Sequence, residues 1–112
     1  MSAIRVRPRS KYHAKPCVVD GIRFASQREA TRYGELKLLE KAGEIQDLSL
    51  QPRYDLMAKR GGKIGEYRAD FVYWDQRAAQ TVVEDVKGFK TPLYRWKVKH
   101  MAAQYGIVIR EL

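Results

Sequence analysis

The sequence predicts a small α/β or α+β domain built around a mixed sheet. Two segments place apolar residues at helical spacing between recognisable start and stop signals. Several shorter segments are strand-like, bounded by turn residues. After an N-terminal hairpin the predicted order is helix, three strands, helix, strand, and 112 residues suit one domain.

The N-terminal segment, residues 1–16, is basic, contains two prolines and shows no periodicity. We expect a flexible basic arm here, followed by one domain over residues 17–112. The domain should begin with a hairpin over residues 18–24, because Asp20-Gly21 suits a two-residue turn with positive φ.

The first helix should begin after Ser26, because Ser26 and Glu29 have the spacing of a capping box. It should run to about Ala42 and stop at Gly43. Its apolar stripe consists of Tyr33, Leu36 and Leu39.

Three strand regions are predicted between the helices. The first covers residues 48–51 and continues over 53–56 after a break at Pro52. The others cover residues 66–74 and 81–86. The face of the 66–74 strand that should be buried carries Tyr67, Ala69, Phe71 and Tyr73.

The second helix is predicted from Pro92, capped by Thr91, to about Gln104, with Gly106 as its stop. A short last strand should follow at residues 107–109.

The net charge of +9 favours a polyanionic partner, with nucleic acid ahead of an anionic membrane surface. Residues 86–110 contain no acid, so the second helix should present a basic face. A solvated basic face without a partner is the alternative. The residues expected to contact nucleic acid are Lys90, Tyr94, Arg95 and Lys97, with Arg7, Arg9 and Lys11 of the arm.

The single cysteine, Cys17, excludes an intrachain disulfide and a cysteine-based zinc site. No apolar run approaches the roughly 20 residues of a membrane span, and the basic N-terminus lacks the apolar stretch of a signal peptide. Cytoplasmic localisation is the default expectation.

The strongest functional signal is a set of charges within strand-like runs: Asp70, then Asp85-x-Lys87. Strand alternation puts Asp85 and Lys87 on one face and Glu84 on the other. Pairing of the two strands would bring Asp70 beside Asp85 at one end of the sheet. A divalent cation would stabilise two such carboxylates, and Mg²⁺ accepts two carboxylates and a carbonyl with waters.

This arrangement predicts phosphodiester hydrolysis, with Lys87 holding a water or stabilising charge at the phosphorus. The alternative is structural. Asp70 could pair with Arg68 or cap a turn, and the other charges could form an ordinary cross-strand ion pair.

Two further positions have open interpretations. Glu29 either caps its helix or reaches the metal, and one side chain should not do both at once. Gln51 either ends a strand, hydrogen-bonds to the metal ligands as an outer partner, or has no special role. Glu84 is also expected to act as such an outer partner.

The order of Glu29, Asp70 and Asp85-Val86-Lys87 resembles the PD-(D/E)XK nuclease superfamily, and this resemblance extends over about nine-tenths of the chain. Small phage and prophage members and transposon-end-cutting endonucleases are similar. The motifs that carry the resemblance are Phe24-x-Ser26-x-x-Glu29-Ala30, Leu50-Gln51-Pro52, Ala69-Asp70-Phe71 and Val83-Glu84-Asp85-Val86-Lys87-Gly88.

The resemblance implies a restriction-endonuclease-like core and an Mg²⁺-dependent (or Mn²⁺-dependent) DNA endonuclease encoded by a phage. Asp70 and Asp85 would bind metal, Glu29 would assist, and Lys87 would position water. Ala69 departs from the proline usual before the first acid. Junction resolution or nicking, and action as a homodimer or with a phage partner protein, would fit. The rival hypothesis is a non-catalytic nucleic-acid-binding module with the same fold.

Overall fold

A computed structural model describes residues 15–112, so Arg7, Arg9, Lys11 and most of the predicted arm lie outside the described residues. Within residues 15–112 the chain forms eight strands and two helices. In chain order they are β1 (Cys17–Val19), β2 (Ile22–Phe24), α1 (Gln27–Lys41), β3 (Ile45–Leu50), β4 (Arg53–Met57), β5 (Lys63–Arg68), β6 (Phe71–Asp75), β7 (Gln80–Asp85), α2 (Pro92–Tyr105) and β8 (Arg110–Glu111). The predicted α+β class is confirmed.

Local signals place the first hairpin and both helices where the sequence predicts them. Asp20 and Gly21 have φ angles of 54° and 75°, so the β1–β2 turn has the expected positive φ at both positions. Ser26 caps α1 and Thr91 caps α2, each accepting a backbone N–H from the first turn. Gly106 ends α2 with a φ of 70°. Neither of the helices formed by residues 15–112 is long and apolar enough to cross a membrane.

The main sheet has the strand order β3-β6-β7-β8. The β3–β6 and β6–β7 pairs are antiparallel and the β7–β8 pair is parallel, which makes the sheet mixed as predicted. On the α1 side, Tyr33 and Leu36 pack in one core cluster with Phe71 and Tyr73. On the α2 side, a second cluster contains Leu56, Tyr67, Ala69, Val83 and Met101.

The predicted last strand at residues 107–109 is wrong in position. The Ile107 N–H donates to the Met101 carbonyl and closes the end of α2, and Ile109 is buried in the core beside α2. Pairing therefore begins only at Arg110, opposite Glu84 of β7.

A bend interrupts the predicted 66–74 strand between β5 and β6. The β4–β5 hairpin continues the β3–β6 ribbon across this bend, where the Gln51 N–H donates to the Asp70 carbonyl (3.0 Å) and the Ala69 N–H to the Pro52 carbonyl (3.1 Å). Gln51 itself adopts a left-handed φ of 53°. The bend leaves Asp70 outside both strands, at the end of the main sheet.

Candidate active site

Two aspartates lie side by side where β6 and β7 meet at one end of the sheet. The Asp70 N–H donates to the Glu84 carbonyl (3.1 Å), so Asp70 lies next to Asp85 in the β6–β7 register. Asp70 Oδ2 accepts from the Val86 N–H (2.7 Å), and Asp85 Oδ2 accepts from the Tyr67 hydroxyl (2.5 Å). The predicted adjacency of the two acids is confirmed.

Glu29 brings a third carboxyl group to this place from the first turn of α1. Its Oε1 accepts from the Ala25 N–H (3.1 Å). The Glu29 carboxyl group is also close enough to the Asp70 carboxyl to raise the pKa of Asp70. Capping therefore does not keep Glu29 away from the acid pair. The start of α1 itself lies at the acid pair, so Glu29 stands near the expected metal site, and its metal-binding role stays a prediction.

Burial and a neighbouring carboxyl group raise the pKa of each aspartate. Burial raises the pKa of Asp70 to about 7, the Glu29 carboxyl adds to this rise, and the hydrogen bond from Val86 opposes it. Burial also raises the pKa of Asp85 to about 7, with a further rise from Asp70 that Tyr67 and Lys87 oppose. Around neutral pH the pair therefore holds a proton readily, and a bound cation would compete with it.

Lys87 lies on the same side as Asp85, as strand alternation predicts. Its Nζ is 3.7 Å from Asp85 Oδ1 and 4.8 Å from the centroid of the Tyr94 ring. The ring is held in turn by a hydrogen bond from the Tyr94 hydroxyl to Glu111 Oε2 (2.8 Å). The Tyr94 ring thus packs against the Lys87 ammonium group, and its hydroxyl links this contact to Glu111 of β8.

A cavity of about 380 Å³ opens at these side chains, lined by Glu29, Asp70 and Lys87 among others. Its rim continues through Phe89 to the start of α2. Asp85 is only 1% exposed and contacts both Asp70 and Lys87. An incoming ligand would meet the three lining side chains first, with Asp85 buried behind them.

The donor set fits a magnesium ion better than an all-protein metal cage. Among residues 15–112 no group of three or more His, Cys, Asp and Glu side chains is arranged to hold a metal. Magnesium keeps several waters and commonly uses one or two carboxylates. Asp70 and Asp85 each use Oδ2 for a hydrogen bond within the protein. Asp70 Oδ1 is therefore available to an ion, whereas Asp85 Oδ1 is paired with the Lys87 ammonium, which a bound ion would have to displace.

Glu84 is fully buried on the opposite face of β7 from Asp85. Arg32 of α1 binds its carboxylate with two N–H groups, at 2.9 Å and 2.6 Å, and the Tyr73 hydroxyl also donates to it. These hydrogen bonds raise the pKa of Arg32. The Glu84 side chain therefore anchors α1 to the sheet, while its backbone carbonyl supports Asp70.

The remaining predicted residues contribute no side chain to the contacts of the acid pair described above. Gln51 is exposed and holds Asp70 through its backbone N–H. Lys90 forms an ion pair with Glu111 (2.9 Å). Arg95 is exposed and Lys97 half-buried on α2.

Sequence reasoning missed Tyr67 and Arg32 as partners of the acids. For Tyr67 the signal was a hydroxyl-bearing aromatic at a buried position of the strand that precedes Asp70. Arg32 had no local signal, because Glu84 lies 52 positions away in sequence.

Comparison with known proteins places the chain in a family without assigning an activity. Residues 9–111 match the family model described as "Protein of unknown function (DUF1064)". Searches of curated proteins and of solved structures returned no match. The chain therefore belongs to the DUF1064 family.

Proposed function

We propose that this protein is an Mg²⁺-dependent DNA endonuclease that hydrolyses phosphodiester bonds. The observation that carries the proposal is the convergence of Asp70, Asp85, Glu29 and Lys87 at one end of the sheet, beside an open cavity. Paired carboxylates next to a lysine are the parts that metal-assisted phosphodiester hydrolysis needs.

The fold supports the same proposal. Helix α1, strands β3, β6 and β7, helix α2 and strand β8 follow one another in the order of a restriction-endonuclease-like core. The acids stand at the end of β6 and β7, and Glu29 at the start of α1. We therefore propose membership of the PD-(D/E)XK nuclease superfamily.

Each side chain has a distinct role in the proposed reaction. Asp70 and Asp85 would hold Mg²⁺, or Mn²⁺ in its place, with Glu29 assisting through its contact with Asp70. When bound there, such an ion would supply Lewis-acid polarisation of a phosphate and a lower pKa for a coordinated water. The Lys87 ammonium, restrained by Asp85 and Tyr94, neutralises charge that develops on the phosphate or orients the attacking water.

The proposed substrate is DNA, bound through the basic surface of α2 and the N-terminal segment. Cleavage of both strands requires two sites, so we propose that the protein acts as a homodimer or with a phage partner protein. The proposed compartment is the host cytoplasm. Nicking is the mode that one small domain with one site performs most simply, and junction resolution, which takes two cuts, would use the homodimer.

The test is cleavage of supercoiled plasmid, linear duplex and a four-way junction in the presence of Mg²⁺, Mn²⁺ or EDTA. We expect at least one substrate to be cut with metal and none with EDTA. Asp70→Asn should abolish cutting. Asp75→Asn is the matched control, because Asp75 caps a turn at the opposite end of β6 and asparagine can cap it as well.

If no substrate is cut with either metal while DNA is still bound, the endonuclease proposal is refuted in favour of a non-catalytic nucleic-acid-binding module. If Asp70→Asn cuts as fast as the wild type, the acid pair is not the active site.

A further inference from the structure

One face of the β4–β5 hairpin is uncovered and carries two arginines. The other face packs against α2 and buries Leu56 and Tyr67. Arg53 of β4 and Arg68 of β5 point away from that core, are exposed, and are directly opposite each other in the strand register. The open face of the hairpin thus presents two guanidinium groups in one row.

The placement of this arginine pair is unfavourable for the hairpin alone, because like charges directly opposite each other destabilise a sheet. Within residues 15–112 neither guanidinium takes part in an ion pair. The next row holds Asp55 and Glu66, but Lys63 already binds both carboxylates, at 3.4 Å and 2.5 Å. Glu66 also attracts the Arg53 guanidinium at longer range, so it offsets part of the repulsion between the arginines without forming an ion pair with either.

The arginine pair borders the bend that carries the candidate active site. Arg68 precedes Asp70 by two residues, and Arg53 follows Gln51 by two residues, with the Gln51 N–H bonded to the Asp70 carbonyl. Two residues of chain span at most about 7 Å. Each strand of B-DNA has one phosphate per about 3.4 Å of helix axis, so this distance corresponds to one or two phosphates from the reaction centre.

We propose that Arg53 and Arg68 form a phosphate-binding pair that holds the DNA backbone beside the acid cluster. Guanidinium groups are well suited to phosphate because they donate two parallel hydrogen bonds. The inference rests on the proposed function, since its ligand is the backbone of the proposed substrate. An incoming phosphate would also relieve the repulsion between the two arginines.

The test is DNA binding by the full chain in EDTA, measured by fluorescence anisotropy on a labelled duplex between 50 and 200 mM salt. The slope of log K against log salt should become shallower by about 1.8 in Arg53→Gln/Arg68→Gln, because each lost phosphate contact removes about 0.9. Over this fourfold salt range the wild type should then lose about twelvefold more affinity than the double variant. Arg77→Gln, in the turn after β6, is the control for loss of one positive charge and should keep a slope within about 0.3 of wild type.

An unchanged slope in the double variant overturns the proposal, and so does an equal change in Arg77→Gln. Circular dichroism and thermal unfolding of the double variant exclude loss of fold as the cause. Because binding is measured without metal, the arginine pair can be confirmed even if no DNA is cut. Conversely, cleavage by the wild type with an unchanged slope refutes the pair and leaves the endonuclease standing.

Discussion

Asp70→Asn should stabilise the metal-free protein at pH 8. The pKa of Asp70 is raised to about 7 in the folded state, against an ordinary value of about 3.9 in the unfolded chain. Between these pH values the folded state keeps a proton that the unfolded state has released. The contribution of Asp70 to the free energy of unfolding is therefore complete below about pH 4 and is lost as the pH rises through about 7. Asparagine stays neutral and still offers an oxygen to the Val86 N–H.

The size of the stability gain in Asp70→Asn follows from how far the pKa of Asp70 is raised. One pKa unit corresponds to 1.36 kcal/mol, so a shift of about three units sets an upper limit of about 4 kcal/mol. Asp70 is only partly buried and its carboxyl interacts with those of Glu29 and Asp85, so we expect about half of this limit, about 2 kcal/mol.

The assay is urea unfolding of wild type and Asp70→Asn in EDTA at pH 4, 6 and 8. The variant should be about 2 kcal/mol more stable at pH 8 and within about 0.5 kcal/mol of wild type at pH 4. Asp75→Asn, at the other end of β6, should show no comparable gain. A variant that is no more stable than wild type at pH 8, or whose gain is the same at pH 4, would refute the electrostatic argument.

Three further predictions concern the metal and the buried ion pair. Mg²⁺ at a hundredfold excess over its Kd should stabilise the wild type by about 2.7 kcal/mol in thermal unfolding but leave Asp70→Asn unchanged, and equal shifts would place the ion elsewhere. Tyr67→Phe, which removes the hydroxyl that donates to Asp85, should weaken Mg²⁺ binding at least tenfold, measured by calorimetry. An unchanged affinity would show that this hydroxyl does not position Asp85. Glu84→Gln should lower the free energy of unfolding by about 3 kcal/mol, because it breaks the buried ion pair with Arg32. Glu35→Gln, which loses an exposed contact to the same arginine, should lower it by less than about 1 kcal/mol. Equal losses in the two variants would contradict the role of burial.

Features that depend on neighbouring residues could be predicted from the sequence. Asp20-Gly21 and the caps at Ser26 and Thr91 act on the backbone within a few positions, so local chemistry decides them. The approach of Asp70 to Asp85 was also predictable, because alternation and antiparallel pairing of neighbouring strands leave few other arrangements.

Features that depend on contacts between residues distant in sequence could not be predicted. The ribbon bends at Ala69–Asp70 because Pro52 and Gln51 bond across it, and no pattern within residues 66–74 indicates this. Likewise, the partner of Glu84 comes from α1, so the sequence showed an acid in a strand without the arginine that neutralises it.

The most direct test of the proposed endonuclease is the single-turnover rate of DNA cleavage in Mg²⁺ by wild type and Lys87→Met. Methionine keeps much of the apolar stem but removes the ammonium near Asp85 Oδ1. Lys41→Met, an exposed position in the last turn of α1, is the matched control. Loss of one charge-stabilising donor should slow cleavage by about a hundredfold or more at an unchanged DNA affinity. Cleavage by Lys87→Met at the wild-type rate, or an equal loss in Lys41→Met, would contradict the proposed active site.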